Sequence, residues 1–573
     1  MEEKKLTGYP SIDKPWLKYY SEEAVKAAQG STPIPEKTLY QYALECNQNG
    51  MNDVAFSYFG KQITYKDFFA NVQKTADALA TMGICKGDIV TIMSMQTPET
   101  INLVFALNYI GAAANMVYIS LSGKELQKII SETNSKALFI LEIALDKIKE
   151  VGDELEIPVV VLSVKDSMPI PMKFGYTLKT KSVKHDFVSF KDFFRKRIYG
   201  TASLNTDPDS VAVLVETSGT TGHPKAVMLT SRNLCALVFQ YKHTSIRFNR
   251  GETFLDLLPI FLGFGIGMLA IAICNGINSI LWLQPEAKLI SQAFWKQKPN
   301  HIALGKAHAA QIIADCPDSA DLSFVSVFAG GGENVSIEEQ NRINSFLLDH
   351  GSKSKFIYGY GMTECASSIC TLSPAAYRLG SMGIPLPYSV MKIVDVETRE
   401  ELRYGEKGEI CIMSPNVMLG FLGNEPNTCE AFEYDKKGNR WLRTDDLGYI
   451  DEDGFVYLTG RLKRIYLIKD TDNNVYKLFP QLVEEVIKKH PMVENCGVIA
   501  VPDERRYHRP IAFVVLKDGA EESAVIGELK IFVGENLPHH SCPHEFIFLQ
   551  NLPVTVSGKI NYKALEAFCE NRK

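Results

Sequence analysis

The chain has 573 residues, with 61 Lys and Arg against 67 Asp and Glu, for a formal net charge of −6. This length predicts more than one domain or one large composite domain. A composition of 46% hydrophobic and 22% charged residues excludes global disorder, collagen-like repeats and a disulfide-stapled miniprotein. The mildly acidic balance argues against nucleic-acid binding, because duplex affinity comes largely from clustered Lys and Arg.

The 12 cysteines contain no C-x-x-C pair. Their spread predicts free thiols in a reducing, cytoplasmic setting rather than a disulfide framework or zinc ribbon. The opening residues, MEEKKLTGYPSIDKPW, hold no apolar h-region, so no secretory signal is expected. Residues 66–83 carry apolar side chains near helical spacing and end on Gly83, a helix-closing residue. Residues 88–95 read as a strand, and Pro98 and Glu99 are good first-turn residues for a following helix. Residues 136–142 and 158–164 read as buried strands. This alternation predicts an α/β fold with a largely parallel sheet.

Two long stretches, Thr100–Gly123 and Leu257–Leu283, carry no charge. Each could span a bilayer by length alone. The first contains Asn102, Asn108 and Asn115; the second contains Pro259, Asn275, Asn278 and four glycines. So many amides and breakers predict segments buried between sheet and helices instead. Residues 173–197 hold eight Lys/Arg against two Asp, interleaved with Phe187, Phe190, Phe193 and Phe194. A surface loop and helix is expected there, with peripheral membrane contact as the sharper alternative.

The strongest signal follows. An apolar run, Val211–Val215, feeds Thr217, Ser218, Gly219, Thr220, Thr221, Gly222, His223, Pro224 and Lys225. Glycines let backbone N–H groups approach a phosphate, the hydroxyls add donors and the lysine adds a cation. The G-x-x-x-x-G-K-[ST] spacing is not met, so this is not a Walker A loop. From about residue 400 the pattern changes to short strands and tight turns, and residues 481–491 read as an amphipathic helix. HHSCPH (539–544) has histidines and a cysteine, but its spacing fits no zinc finger and predicts a structural loop.

TSGTTGHPK resembles the signature of the adenylate-forming superfamily, which includes acyl-CoA synthetases, firefly-type luciferases and peptide-synthetase adenylation domains. The order of that family's other motifs is kept. YGYGMTE (358–364) is similar to its aromatic-Gly-x-Thr-Glu motif, and AGGGEN (329–334) lies where the family has an adenine-contacting turn. WLRTDDLGYIDEDGFVYLTGRLKR (441–464) resembles the ribose-binding aspartate motif followed by the hinge. LPVTVSGKINYKAL (552–565) resembles the catalytic-lysine motif.

The resemblance implies a large N-terminal domain over 1–462, built of mostly parallel sheets sandwiched by helices plus a β-barrel-like part. It also implies a small mobile α+β domain over 463–573. The implied reaction has two steps: a carboxylate attacks the α-phosphate of ATP to give an acyl-adenylate and pyrophosphate, then a thiol attacks that anhydride. Thr217, Ser218, Gly219, Thr220, Thr221, Gly222 and Lys225 would hold the phosphates. Gly332, Glu333, Tyr358, Gly359, Tyr360 and Gly361 would line the nucleotide site. Thr363 would donate to the α-phosphate, and Glu364 is the implied Mg²⁺ ligand. Asp446, with Arg461, would bind the ribose hydroxyls. Lys463 falls at the hinge, and Lys559 is the implied catalytic lysine.

Three departures stand out. Leu262 replaces a histidine common beside the acyl pocket, giving an apolar wall that suits an alkyl chain. Asp445 replaces the usual glycine before the ribose aspartate, where φ > 0 would cost strain. The segment 467–480 after the hinge has no glycine near the pantetheine tunnel, which leaves CoA and the phosphopantetheine of a carrier protein both open as thiol acceptors. The expected function is ATP-dependent acyl-CoA synthesis from a fatty or other apolar acid. The alternatives are an acyl-adenylate ligase loading a carrier protein, an amino-acid activator, and a non-catalytic nucleotide-binding regulator. Loss of Lys559 or Glu364 would mark the regulator, and both are present.

Overall fold

The computed structural model describes residues 6–26, 33–151, 155–179, 186–217, 225–333, 335–464, 466–469, 475–503, 505–555, 559–570 and 572. The chain divides into two compact units. The larger takes Met1–Met391, Ile412–Arg443 and Asp451–Val456; the smaller takes Lys392–Cys411, Thr444–Ile450 and Tyr457–Lys573. The chain passes from one to the other within or at the end of four strands, Val390–Val394, Gly408–Met413, Arg440–Ile450 and Val456–Arg461. The division therefore lies inside a run of short strands rather than at a single linker.

The larger unit holds two sheets. In the eight-stranded one, Val188–Ser189, Val159–Leu162, Ala137–Leu141, Ile89–Met93, Ala113–Met116 and Val211–Thr217 run parallel, and Lys225–Thr230 and Gly420–Phe421 close one edge antiparallel. In the nine-stranded one, Val54–Tyr58, Asn278–Leu281, Thr253–Asp256, His301–Leu304, Val327–Gly330 and Phe356–Tyr360 form the parallel centre. Strands buried on both faces need near-continuous apolar runs, and Ala137–Leu141 and Val159–Leu162 are buried throughout. The structure thus has the α/β, largely parallel architecture that the alternating pattern predicts.

Local chemistry explains the element boundaries. Tyr65–Thr81 is a helix because Thr64 caps it, its side chain accepting from the Asp67 N–H. Thr97 caps Pro98–Ile110 in the same way through the Thr100 N–H, with Pro98 in the first turn. Both uncharged stretches are interior. The first becomes Pro98–Ile110 and strand Ala113–Met116; the second becomes helix Gly263–Cys274 and strand Asn278–Leu281. No helix among the described residues is long and apolar enough to cross a membrane. In the basic segment, Phe190 and Phe193 turn inward, and Phe193 meets Phe139 edge-on with ring centroids 5.2 Å apart. Phe187, by contrast, is exposed.

The smaller unit packs the hairpin Val493–Asp503/Tyr507–Leu516 and the parallel strand Glu545–Phe548 against helices Pro480–Lys488, Glu522–Asn536 and Tyr562–Glu570. The expected amphipathic helix is Pro480–Lys488, burying Val483 and Ile487. The 539–544 segment forms a short turn, His539–Ser541, with His540 stacked on Tyr476 at 4.1 Å. Among the described residues no group of three or more His, Cys, Asp or Glu could hold a metal.

The amides in the uncharged stretches have structural work. Asn108 is buried, accepts from the Tyr40 N–H at 2.9 Å and donates to the Ser231 hydroxyl at 2.7 Å, so it ties three helices together. Asn108→Leu strands two buried polar partners and is expected to cost about 1–3 kcal/mol. A lowered thermal midpoint by circular dichroism would register this, and an unchanged midpoint would contradict it.

Candidate active site

In the larger unit, the phosphate-loop motif bridges two antiparallel strands, Val211–Thr217 and Lys225–Thr230, with Thr217 opposite Lys225. Ser218, Gly219, Thr220, Thr221 and Gly222 lie outside the described residues. The two ends of the loop are well held. The Thr217 hydroxyl donates to the Lys225 carbonyl at 3.5 Å. The Lys225 ammonium donates to Asn427 Oδ1 at 2.6 Å and sits 5.0 Å from the Phe421 ring centroid. Asn427 and Phe421 were not legible as partners, because they lie about two hundred positions away in sequence.

The second motif comes off the end of strand Phe356–Tyr360. Thr363–Cys365 is a single tight turn, and it sits beside both strands that flank the phosphate loop. Thus Thr217, Lys225, Thr363 and Glu364 share one neighbourhood. Three contacts brace the turn from a distant segment. The Met418 N–H donates to the Glu364 carbonyl at 2.7 Å, and Asn416 Nδ2 donates to the carbonyls of Cys365 and Ser368 at 2.7 and 2.8 Å. Gly361 is required by close approach, since a Cβ there would collide with the Ser367 carbonyl. Ala366 and Ser367 follow with φ of 55° and 136°, so the chain reverses tightly right after Glu364.

The adenine-turn motif is the neighbour of the second. Strands Val327–Gly330 and Phe356–Tyr360 run parallel with Gly330 opposite Tyr358, which places Gly332 and Glu333 beside Tyr358, Gly359 and Tyr360 at the carboxyl ends of adjacent strands. The Tyr358 hydroxyl donates to the Glu333 carbonyl and accepts from the Val335 N–H at 3.3 Å, fixing that loop. Open α/β sheets bind ligands at such carboxyl ends.

Two buried acids accompany these motifs. Glu216 precedes Thr217, and burial, reinforced by the charges of Glu132 and Glu125, pushes its carboxyl up to about 7. Asp256 ends strand Thr253–Asp256, and burial pushes it up to about 7 against one backbone hydrogen bond from Leu258. Their sequence signal is an acid closing an apolar strand just ahead of a motif.

The remaining predicted residues lie in the smaller unit. Asp446 is buried, and Arg461 Nε donates to its Oδ1 at 2.7 Å. The Thr444 hydroxyl accepts from the Asp446 N–H at 3.1 Å and donates to the Ile410 carbonyl at 2.8 Å. Asp445 does adopt the left-handed backbone, at φ 58°. Lys463 falls in the turn Leu462–Arg464, and its side chain lies outside the described residues. Lys559 is exposed and sits on a narrow antiparallel return. Its N–H donates to the Thr555 hydroxyl at 3.2 Å, its carbonyl accepts from the Thr555 N–H at 2.6 Å, and Val554 pairs with Ile560.

Residues 43–422 match the AMP-binding enzyme family, and residues 482–559 match the AMP-binding enzyme C-terminal domain. The chain belongs to the AMP-binding enzyme family, within the adenylate-forming superfamily. It is 28% identical to a long-chain-fatty-acid–CoA ligase of Bacillus subtilis (strain 168), over 97% of this chain and 99% of that protein. It is 27% identical to a 4-coumarate–CoA ligase of Humulus lupulus, over 89% of each. Its fold matches the crystal structure of ATP-bound MatB from Rhodopseudomonas palustris with a TM-score of 0.79 at 20% identity, covering 93% of this chain and all of that one, 100%.

An AMP-binding enzyme handles a polyphosphate, and the donor set here suits Mg²⁺. Mg²⁺ binds proteins through one or two carboxylates while phosphates and water supply the other oxygens. The Thr363–Cys365 turn offers the Glu364 carboxylate beside the phosphate-loop strands, and among the described residues no cluster of three or more potential metal ligands accompanies it.

Two outcomes are expected. The Glu216 value in the folded chain lies above its unfolded value, so the native state holds an extra proton between them. Its stabilising effect is therefore complete below about pH 4.5 and erodes as pH rises to about 7. Glu216→Gln should remove that erosion and gain on the parent chain from pH 5 to pH 8 in thermal melts; parallel profiles would contradict it. At the left-handed position, Asp445→Gly should be tolerated, whereas Asp445→Val should lower stability by roughly 1–2 kcal/mol, the scale of a Cβ clash in that region.

Proposed function

We propose that the chain is an acid–thiol ligase that activates a carboxylic acid with ATP and passes the acyl group to the thiol of CoA. The observation that carries this reading is the shared neighbourhood of Thr217, Lys225, Thr363 and Glu364, with the Gly332–Glu333 and Tyr358–Tyr360 segments on the adjacent strand ends. It supplies hydroxyl and backbone donors, a cation and a carboxylate where a triphosphate needs them.

In the first step a substrate carboxylate oxygen attacks the α-phosphorus, the bond to the bridging oxygen breaks and pyrophosphate leaves. Negative charge builds on the non-bridging oxygens, so preorganised donors lower the barrier. Residues 217–225 hold the β- and γ-phosphates, and Thr363 donates to the α-phosphate. Glu364 would hold Mg²⁺, which would supply positive charge to the phosphates. Asp446 accepts from the ribose hydroxyls, with its carboxylate oriented by Arg461. Lys559 bonds the substrate carboxylate and α-phosphate oxygens during this step. In the second step a thiolate attacks the acyl carbon and AMP leaves. Residues 463–573 act as the mobile part, with Lys463 at the hinge, so that Lys559 serves only the first step.

The acid is a fatty or other apolar one. Leu262 presents an alkyl side chain at the start of the uncharged helix Gly263–Cys274. Two of the chain's relatives are named as CoA ligases of long-chain fatty acids and of 4-coumarate, which supports a carboxylic acid substrate and CoA as acceptor. The rival acceptor is a carrier-protein phosphopantetheine.

Pyrophosphate exchange against a panel of carboxylic acids, followed by product detection with CoA or a holo-carrier, tests the reading. Exchange with an apolar acid and formation of its CoA thioester is expected. Exchange without a CoA thioester would move the acceptor to a carrier, and no exchange with any acid would overturn the ligase assignment. Lys559→Ala is expected to lose on the order of 10²-fold or more in adenylate formation, the scale for one preorganised charged donor. Near-normal exchange in this variant would remove Lys559 from the first step.

A further inference from the structure

Helix Ile170–Lys179 follows strand Val159–Leu162 near one edge of the eight-stranded sheet in the larger unit. It carries apolar side chains into solvent: Ile170 is 85% exposed, Phe174 68% and Met172 45%. The Tyr176 hydroxyl donates to Glu142 Oε1 at 3.5 Å, which ties the helix to the turn Glu142–Ala144, where Ile143 is itself 55% exposed. The buried Tyr58 hydroxyl donates to the Val164 carbonyl at 2.7 Å and fixes the chain that leads into the helix. Single exposed apolar residues need no explanation, but four around one helix mark a contact surface.

The charge around this surface says what covers it. From Ser167 to His185 the chain carries four lysines, at 173, 179, 181 and 184, and no acid. Lys173 lies within the helix and Lys179 ends it, while 181 and 184 fall outside the described residues. The acids at the base of the helix accept hydrogen bonds from the fold: Glu142 from Tyr176, and Asp166 from the Ser163 N–H at 3.3 Å. The aromatic residues further along the basic segment behave differently, since Phe190 and Phe193 are buried and serve the core. A cationic helix with uncovered apolar side chains matches the boundary of an anionic bilayer, where headgroups meet the cations and acyl chains take the apolar groups. Ile170 and Phe174 lie one turn apart on one face, and Met172, two residues from each, does not share it. Apolar exposure on more than one side of a helix suits immersion among lipids better than contact with one flat protein face.

We propose that helix Ile170–Lys179, together with Ile143, docks the protein on the surface of an anionic phospholipid bilayer. Ile170 and Phe174 enter the headgroup boundary, and Lys173 meets lipid phosphates. The helix has 10 residues, against the roughly 20 needed to cross a bilayer, so it lies in the interface. Within the sheet, strands Ile89–Met93 and Ala113–Met116 stand between Ala137–Leu141 and Val211–Thr217, so the docking edge is separate from the strands of the phosphate-loop motif. The contact concerns binding alone and stands apart from the ligase reading.

Sedimentation of the full chain with vesicles of phosphatidylcholine, with and without phosphatidylglycerol, tests this. Binding to the mixed vesicles is expected, weakening as salt is added, with little binding to phosphatidylcholine alone. Ile170→Ser combined with Phe174→Ser should weaken binding on the order of 10-fold at an unchanged thermal midpoint, because both side chains already lie in solvent. Lys173→Gln should weaken it roughly 5-fold, the scale of one cation near an anionic surface. Ile531→Ser, at a side chain 65% exposed in the smaller unit, should leave binding unchanged. No pelleting of the parent chain with the mixed vesicles would overturn the proposal. Equal binding to both vesicle types, or a double variant that binds like the parent, would do the same. A concentration-dependent dimer of the parent in sedimentation velocity, lost in the double variant, would assign this face to a second copy of the chain and overturn it as well.

Discussion

The candidate site depends on how closely helix Gly263–Cys274 packs against the turn that carries Thr363 and Glu364. Gly267 has no Cβ, and one there would collide with the Ala366 carbonyl and crowd Ser367. Only with that contact closed can the chain reverse between Gly361 and Ser368 and leave Glu364 on a single turn. The same approach explains the run of small residues from Cys365 to Cys370, several of which are fully buried. Backbone packed on backbone resists displacement more than side chain on side chain, because there are no rotamers to absorb a shift. A rigid platform of this kind is what positioning of a phosphate donor needs.

Around that contact, two sheets deliver their motifs by the same rule. The phosphate-loop strands belong to the eight-stranded sheet, while the Gly332–Glu333 and Tyr358–Glu364 segments leave the nine-stranded sheet at its carboxyl ends. Segments that are distant in sequence hold both in place. Asn427 and Phe421 fix Lys225, and Asn416 and Met418 fix the Thr363–Cys365 turn. Residues 416–427 therefore brace both motifs, through the side chains of Asn416, Phe421 and Asn427 and the backbone N–H of Met418.

The smaller unit has its own organising network. Arg464 donates to Glu484 Oε1 at 2.7 Å and to the Val498 carbonyl at 2.9 Å, and its guanidinium lies 3.7 Å from the Tyr562 ring centroid. Glu484 also accepts from the Val498 N–H at 2.8 Å and from the Tyr562 hydroxyl at 3.2 Å. The residue after Lys463 is thus bonded to helix Pro480–Lys488, to the central hairpin and to the residue three beyond Lys559. A buried ion pair with every partner satisfied rigidifies its surroundings. Lys559 lies three residues before Tyr562, so the segment that carries it is anchored to this network.

By itself the sequence determined the α/β class, the burial of both uncharged stretches, the amphipathic helix after Phe479 and the ordered motifs of the AMP-binding enzyme family. These follow from periodicity, capping residues and short local patterns, which act over a few neighbouring positions. It also anticipated the left-handed backbone at Asp445, because a motif that ordinarily has glycine there reports a backbone demand. Only the tertiary structure decided that the units interleave along the chain between residues 391 and 457, that Asn427 holds Lys225 and that Lys242 meets Cys46. Those outcomes rest on contacts between positions tens to hundreds of residues apart. Free energy of packing selects such contacts globally, and no local pattern records them.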